Sequence, residues 1–414
     1  MCKLPVFLLF ILLSVSKACG QDFIDQMSKR VFSLGTDFSI DQKADGVAAA
    51  ALLKQLNTYS ALGLGEATHG THEFFVAKAN LIQQLITAGH YDRIGLEAPY
   101  AEVEELNQFL LAYKGELGQL LKNLRQYTYE TAEFADLIYA LQLYNKQAKV
   151  KVLFYGYDFQ SPFKALTNIR TAAHGSPEVV SAIDSLEAAY FSMNNELYTH
   201  QFDSVSYNDI LQKSRRLYAC LDTPQNSEVQ RNLKSYKQFL LLNDPRLSAI
   251  GMERLSQVRD SLMASNIMDE IKAGHAMLVW AHNGHIQRSS NKFSKSMGQY
   301  LQDNLSSGYG SIGLSTYQGF YTAYSNEFHG VSQMNPLQIP LTNQLEYHLQ
   351  QLKVANYLFH TKGLVVPAGI NEHRFVVYSA TENQFQKGNM IEVFDYILFI
   401  SKSTGSSNYH IKKN

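Results

Sequence analysis

The chain has 414 residues, 45% of them hydrophobic and 18% charged, with a formal net charge of −1. That composition excludes a disordered or fibrous chain and leaves material for one large domain or two ordinary ones. Near-neutral charge also removes the electrostatic footprint that nucleic acid or an anionic membrane surface would require.

The first twenty residues differ from the rest. Lys3 precedes the apolar run Leu4–Val15, and Ser16-Lys17-Ala18-Cys19-Gly20 closes it with small residues. This is the order of a secretory signal, and the run is too short for a membrane span. The expectation is an exported protein, periplasmic or secreted, with residues 1–20 removed. A lipid anchor on Cys19 is the alternative, and Lys17 fits it poorly. The three cysteines are Cys2, Cys19 and Cys220, so the mature chain has no disulfide framework and must rely on its core. Cys220 reads as a small buried apolar residue.

In chain order, Asp41–Asn57 has the spacing of an amphipathic helix. Ala61–Leu64 predicts a first strand, and Thr71–Gly89 a helix with Gly89 as its stop. Arg93–Leu96 predicts a second strand delivering Glu97. Two or three helices follow over Tyr100–Ala148, the clearest being Glu130–Asn145. Val150–Tyr155 is a third strand, ending near Asp158 and Gln160. Ser161–Lys272 has no good strand and is punctuated by Pro177, Pro224 and Pro245, which points to a helical insertion or lid. A fourth strand, Ala276–Trp280, ends in Ala281-His282-Asn283-Gly284-His285. Helix Ser294–Asn304 and strand Ser311–Ser315 come next, then strand candidates at Tyr357–His360, Phe375–Ser379 and Val393–Ile400 and a polar terminus from Ser403. The fold expectation is α/β: a mainly parallel sheet flanked by helices, with 161–272 as a helical lobe within one domain over 21–414.

Four apolar runs each end in an ionisable residue: Glu66, Glu97, Asp158 and His282. A parallel sheet brings such ends together along one edge, where ligands of α/β proteins bind. Glu66 and His69, three apart on a glycine turn, can form a carboxylate–imidazole pair that orients one ring nitrogen and frees the other to take a proton. His282 and His285 can converge on the same point as metal ligands or as proton-transfer and oxyanion groups, or can simply bind loop backbone. There is no H-E-x-x-H, no cysteine ligand and no G-x-S-x-G elbow, so direct attack by a water activated by His69 is the economical mechanism.

The segments GLGEATHGTHEFF, RIGLEAP, YETAEFADLIYALQLYN, FYGYDFQSP, VRDSLMASNI, VWAHNGHIQR and SMGQYL occur in this order from Gly63 to Leu301. Together they resemble the erythromycin esterase family. The resemblance implies a hydrolase that opens an ester or lactone without a required metal or cofactor, and a helical lobe forming one wall of a cleft. It also implies His69 as general base with Glu66 as its partner, and Glu97, His282 and His285 as the remaining site residues. Lys78 stands where some members carry an active-site arginine, and is expected to touch substrate. Asp158, Gln160, Arg259 and Asp260 fall in family motifs, with architectural roles expected; Arg259 and Asp260 would pair to tie lobe to core. The partner expected is a small-molecule ester or lactone, with no nucleic acid and no transmembrane segment. Two rivals remain open: a metal-dependent hydrolase using the same cluster, and a binding relative that has lost hydrolysis.

Overall fold

The computed structural model describes residues 21–173, 176–193, 202–221, 227–289, 295–325, 327, 329–352 and 354–410. Residues 1–20, with the expected signal and Cys19, lie outside them. The first half reads β1 (Val31–Ser33), α1 (Gln42–Leu56), β2 (Ala61–Leu64), α2 (His72–Ile86), β3 (Arg93–Pro99), α3 (Tyr100–Ala112), α4 (Leu117–Asn123), α5 (Ala132–Gln147) and β4 (Leu153–Asp158). The span 161–272 is helical throughout its described residues: α6 (Phe163–Ala172), α7 (Pro177–Ser192), α8 (Ser204–Cys220), α9 (Ser227–Leu242), a turn at Pro245–Ser248, and α10 (Met252–Lys272). The chain then returns through β5 (Met277–Trp280), a one-turn helix at Asn283–Ile286, α11 (Met297–Leu305), β6 (Tyr309–Ser325), β7 (Gly330–Pro336), a short helix at Leu345–Leu349, β8 (Asn356–His360), β9 (Glu372–Arg374), β10 (Phe385–Lys387), a turn at Met390–Val393 and β11 (Tyr396–Ser403).

Nine strands form one mixed sheet in the order β1-β8-β11-β6-β2-β5-β3-β4, with β7 paired to β6. The run from β11 to β4 is parallel; the pairs β1/β8, β8/β11 and β6/β7 are antiparallel. β2 and β5 are buried on every residue, as expected of central parallel strands whose two faces both carry helices. Leu62, Leu64, Ile94, Leu96 and Trp280 point to one face, where Phe74, Phe75 and Ile82 of α2 and Phe134, Ile138 and Leu141 of α5 pack on them. Met277, Val279 and Tyr157 point to the other, against Met263, Ala264 and Ile267 of α10. Each fully buried Leu or Ile contributes about 1.5–3 kcal/mol relative to exposure, so this two-sided burial supports the fold without disulfides.

α2 is a good helix for local reasons. Thr71 occupies its N-cap in extended conformation, and ten of its side chains are buried in the face that follows. It ends at Ile86, shorter than expected, because Gly89 with φ of +77° turns the chain back within three residues. The lobe has its own apolar centre, including Leu166, Ile183, Tyr190, Tyr236 and Phe239. α10 packs on the sheet instead, and its Ser256, Arg259 and Asp260 form one wall of the cleft.

Two expectations are corrected. Phe375–Ser379 is no strand: β9 stops at Arg374 and 375–377 runs as an irregular segment beside His282. Cys220 is exposed, at the last position of α8. The polar terminus is an ordered strap through 410. Glu73 accepts hydrogen bonds from Thr404 N and Oγ1 at 2.7 and 2.8 Å, and Glu133 accepts from Ser407 N at 3.0 Å. Glu73 and Glu133 thereby anchor the tail across the starts of α2 and α5.

Candidate active site

The four chemically marked strand ends belong to four adjacent strands, β2, β5, β3 and β4. Glu66, His282, Glu97 and Asp158 follow them in that spatial order, along one edge of the sheet. Close approach at this edge requires a small residue after β2: a Cβ on Gly65 would sit 2.1 Å from Asn283 Oδ1. Asn283 is itself fixed, accepting from Leu314 N at 3.1 Å and donating to Leu314 O at 2.8 Å. The β2 and β5 turns are further joined by Asn283 N donating to Glu66 O at 2.9 Å.

Glu66 is buried and takes three donors. His69 Nδ1–H donates to Oε1 at 2.7 Å, and Oε2 receives Trp280 Nε1–H at 3.2 Å and the Lys78 ammonium. Burial alone would raise this carboxyl; Lys78 and His69 outweigh it and bring it down to about 2. Glu66 is therefore an anion, and Nδ1 of His69 must carry the proton of their bond. Nε2 is the nitrogen left to the cleft, with 15% of the side chain exposed.

Lys78 does not line the cleft. It lies behind Glu66, 1% exposed, with Nζ 3.7 Å from the centre of the Trp280 ring. The expectation that it touches substrate is corrected on that ground, because Glu66 and Trp280 stand between it and the open space. Burial lowers its ammonium to about 8 against the opposing pull of Glu66.

The two histidines of the second loop separate in role. His282 Nδ1 accepts from Gly284 N at 3.1 Å, which puts its proton on Nε2, and Nε2–H donates to Val376 O at 3.2 Å. Both ring nitrogens are spent on backbone. Burial, with His69 close by at 4.8 Å between ring centres, lowers it to about 3 and keeps it neutral. Phe375 stands edge-on to its other side at 4.6 Å. His285 is the opposite case. Its Nδ1 donates to Asp260 Oδ1 at 2.7 Å, and its Nε2 lies 3.3 Å from Glu97 Oε1. Burial works against the charge, but Asp260 and Glu97 raise the ring to about 10 and make it an imidazolium.

Glu97 binds this group together. Its Oε1 accepts from Arg259 Nη2 at 2.9 Å, and its Oε2 from the His282 backbone N–H at 3.3 Å. Buried as it is, it is still held well below the usual carboxylate range by His285 and Arg259. Arg259 and Asp260, expected to pair with each other, instead act separately. Arg259 bonds Asp158 and Glu97, tying α10 to β4 and β3, while Asp260 holds His285 and the Met297 N–H at 3.0 Å. Asp158 also accepts from Gln160 Nε2 at 2.6 Å, so both are scaffold for Arg259.

Around these groups lies a cleft of about 760 Å³, walled by the sheet edge, the 125–129 segment, α10 and the 375–378 segment. Tyr127 Oη donates to Tyr378 O at 2.8 Å, closing one side. Trp280, Asp260 and the 375–378 segment were not among the residues expected at the site. Trp280 reads as an ordinary strand residue, and 375–378 as a strand. The VRDSL motif marked Asp260, but as a partner of Arg259 and not of His285.

The donor set does not fit a metal. Among the described residues no three His, Cys, Asp or Glu side chains group as ligands. Both nitrogens of His282 already have protein partners, and His285 Nε2 lies 3.3 Å from Glu97 Oε1. Nor is any serine, threonine or cysteine of the cleft hydrogen-bonded to a histidine among the described residues, as a nucleophile–base pair would require.

Residues 86–403 match the family model described as erythromycin esterase. Glu66 and His69 lie ahead of the matched span. Erythromycin esterase type II of Escherichia coli is 23% identical over 400 residues, covering 86% of this chain and 92% of the relative. Erythromycin esterase type I of Escherichia coli is 22% identical over 285 residues, 59% of this chain and 67% of the relative. A solved structure described as a succinoglycan biosynthesis protein superposes with a TM-score of 0.77 at 19% identity, covering 94% of this chain and 99% of that one. An erythromycin esterase mutant, EreC, in its open conformation superposes at 0.71 and 17% identity, covering 92% and 99%. The solved structures share the α/β fold, and the family model covers more than half of the chain: the chain belongs to the erythromycin esterase family.

Proposed function

We propose that the cleft hydrolyses a carboxylic ester or lactone by direct attack of water, with His69 as general base and no covalent nucleophile. The observation that carries this reading is the Glu66–His69 pair, in which Nδ1–H is committed to the carboxylate and Nε2 is left to the cleft. Nε2 takes a proton from water as its oxygen bonds the carbonyl carbon. The same nitrogen returns the proton to the leaving alkoxide when the tetrahedral intermediate collapses. Negative charge developing on the carbonyl oxygen faces the His285 imidazolium and Arg259, held by Asp260, Asp158 and Glu97 in a partly dry site where such charges act strongly. His282, with both nitrogens engaged, shapes the wall instead.

The esterase names of the relatives support an ester as substrate, and erythromycin is the first macrolide to try. The test is a panel of esters and lactones, macrolides included, scored by mass spectrometry for addition of one water. Wild-type turnover is expected on at least one class, with His69→Ala slower by about 10²–10⁴, the range of general acid–base catalysis. Equal turnover by His69→Ala would refute the assignment. Residues 1–20 are proposed as an export signal. N-terminal sequencing of the protein from culture medium and periplasm should find a start near residue 19 or 21; an intact Met1 in the cytoplasm would refute export.

A further inference from the structure

We propose that Tyr129 is a further catalytic residue, whose phenolic O–H donates a hydrogen bond to the carbonyl oxygen of the ester as it becomes an oxyanion. This rests on the hydrolytic reading above and adds a donor to it. The phenol lines the cleft with Glu66, His69 and Glu97, in a side chain only 2% exposed. Its oxygen already accepts the Glu97 backbone N–H at 3.0 Å, so a lone pair is used and the O–H hydrogen needs a separate acceptor. Among the described residues no protein atom accepts it. A buried hydroxyl with its acceptor missing is uncommon, and here the space in front of it is the cleft.

The backbone donors of the 282–285 loop and the His282 ring N–H are already committed. The backbone N–H groups of His282, Asn283, Gly284 and His285 go to Glu97 Oε2, Glu66 O, His282 Nδ1 and His282 O. His282 Nε2–H goes to Val376 O, and Lys78 is behind Glu66. A backbone oxyanion hole is therefore not on offer at this turn. Tyr129 is also held firmly: its ring packs on Phe134 at 5.1 Å between centres, one residue pair before the α5 cap at Thr131. Burial, with Glu97 and Glu66 beside it, keeps the phenol protonated far above its ordinary range. It can donate a hydrogen bond without competing as an acid.

In the step itself, water's oxygen bonds the carbonyl carbon, its proton goes to His69 Nε2, and the carbonyl π pair moves onto oxygen. Tyr129 contributes a hydrogen bond to that oxygen and transfers no proton. Collapse expels the alkoxide, which takes the proton from His69. Removing one such donor typically costs about 10²–10³ in kcat.

The experiment compares wild type, His69→Ala and Tyr129→Phe on the best ester of the panel, with replacement of Tyr129 by O-methyltyrosine as a variant that keeps the acceptor oxygen and removes the O–H. Tyr129→Phe is expected to lose about 10²–10³ in kcat with KM within a few-fold. The O-methylated protein, which keeps the acceptor oxygen and lacks the donor, is expected to show the same loss in kcat. Active wild type, inactive His69→Ala and a Tyr129→Phe kcat within a few-fold of wild type would overturn this inference alone. If Tyr129→Phe fails to fold, a kcat within a few-fold of wild type in the O-methylated protein overturns it instead. Wild type inert on every ester would overturn the hydrolytic reading and this inference with it.

Discussion

Lys78 and His69 share one carboxylate. Glu66 gives Oε1 to the histidine and Oε2 to the lysine, so the buried ammonium sets the charge of the group that orients the imidazole. Trp280 completes the arrangement, donating to the same oxygen and stacking under the ammonium. Lys78 thus influences the proposed base from behind it.

Lys78→Met is expected to destabilise the fold by about 3–5 kcal/mol, the usual consequence of leaving one member of a buried ion pair alone. Without the ammonium the Glu66 carboxyl rises toward protonation and holds His69 less well, so kcat should fall as well. Urea unfolding and ester turnover check the two effects. Lys78→Arg, which keeps the charge in a larger group, should recover part of both; full stability of Lys78→Met would refute the account.

Asp260 is the main support of the His285 imidazolium. Asp260→Asn should lower the titration of that ring from about 10 by a unit or more, because burial then acts against the charge with Glu97 alone opposing it. The ¹⁵N shifts of His285 followed from pH 6 to 11 report this directly. A ring that still titrates near 10 in the variant would show that Asp260 only positions it.

Stability should fall in acid in two steps. His282 is lowered from 6.5 to about 3 in the folded state and Glu66 from 4.5 to about 2, so the unfolded chain takes up their protons first. With both folded values depressed, each contribution is complete above the unfolded value and is lost as pH falls through the window. That window runs from about 6.5 to 3 for His282 and from about 4.5 to 2 for Glu66. The urea midpoint is expected to drop between pH 7 and pH 4, and His282→Gln should flatten the part above pH 5. An unchanged slope in that variant would remove His282 from the explanation.

The C-terminal strap should matter to stability and not to chemistry. Glu133 takes the Ser407 N–H and His72 Nδ1 at 2.6 Å, while Ala132 N donates back to Ser407 O at 2.9 Å. Glu133→Ala is expected to cost about 1–3 kcal/mol, the usual range for leaving a partly buried donor unsatisfied. It should also speed proteolysis between 403 and 410 while leaving kcat within a few-fold. Tail cleavage at the wild-type rate would count against the strap.

Much of the core was legible in advance for a physical reason. Central parallel strands are buried on both faces, so ALGL and MLVW stand out as short apolar runs, and each must end where the chain meets solvent and ligands. The Glu66–His69 pair was legible because both residues sit on one turn, three positions apart. The helical character of 161–272 was legible from its lack of any strand pattern. The 375–379 segment misled: FVVYS has strand composition, but Arg374 is pulled inward to the carbonyls of Thr316, Tyr317 and Gln338, and the chain beyond it turns toward the cleft.

By itself, then, the sequence determined which residues carry charge, which runs must be buried, and that a carboxylate–imidazole pair stands at the end of the first central strand. Only the tertiary structure decided what each charged group does. Lys78 could be a substrate ligand or a buried counter-ion until Trp280, 202 positions away, was seen beneath it. His282 and His285 are alike in sequence, yet burial beside His69 keeps one a neutral wall and Asp260 makes the other a cation. Partners that set protonation come from strands and helices far apart in the chain, and low-dielectric burial magnifies their effect.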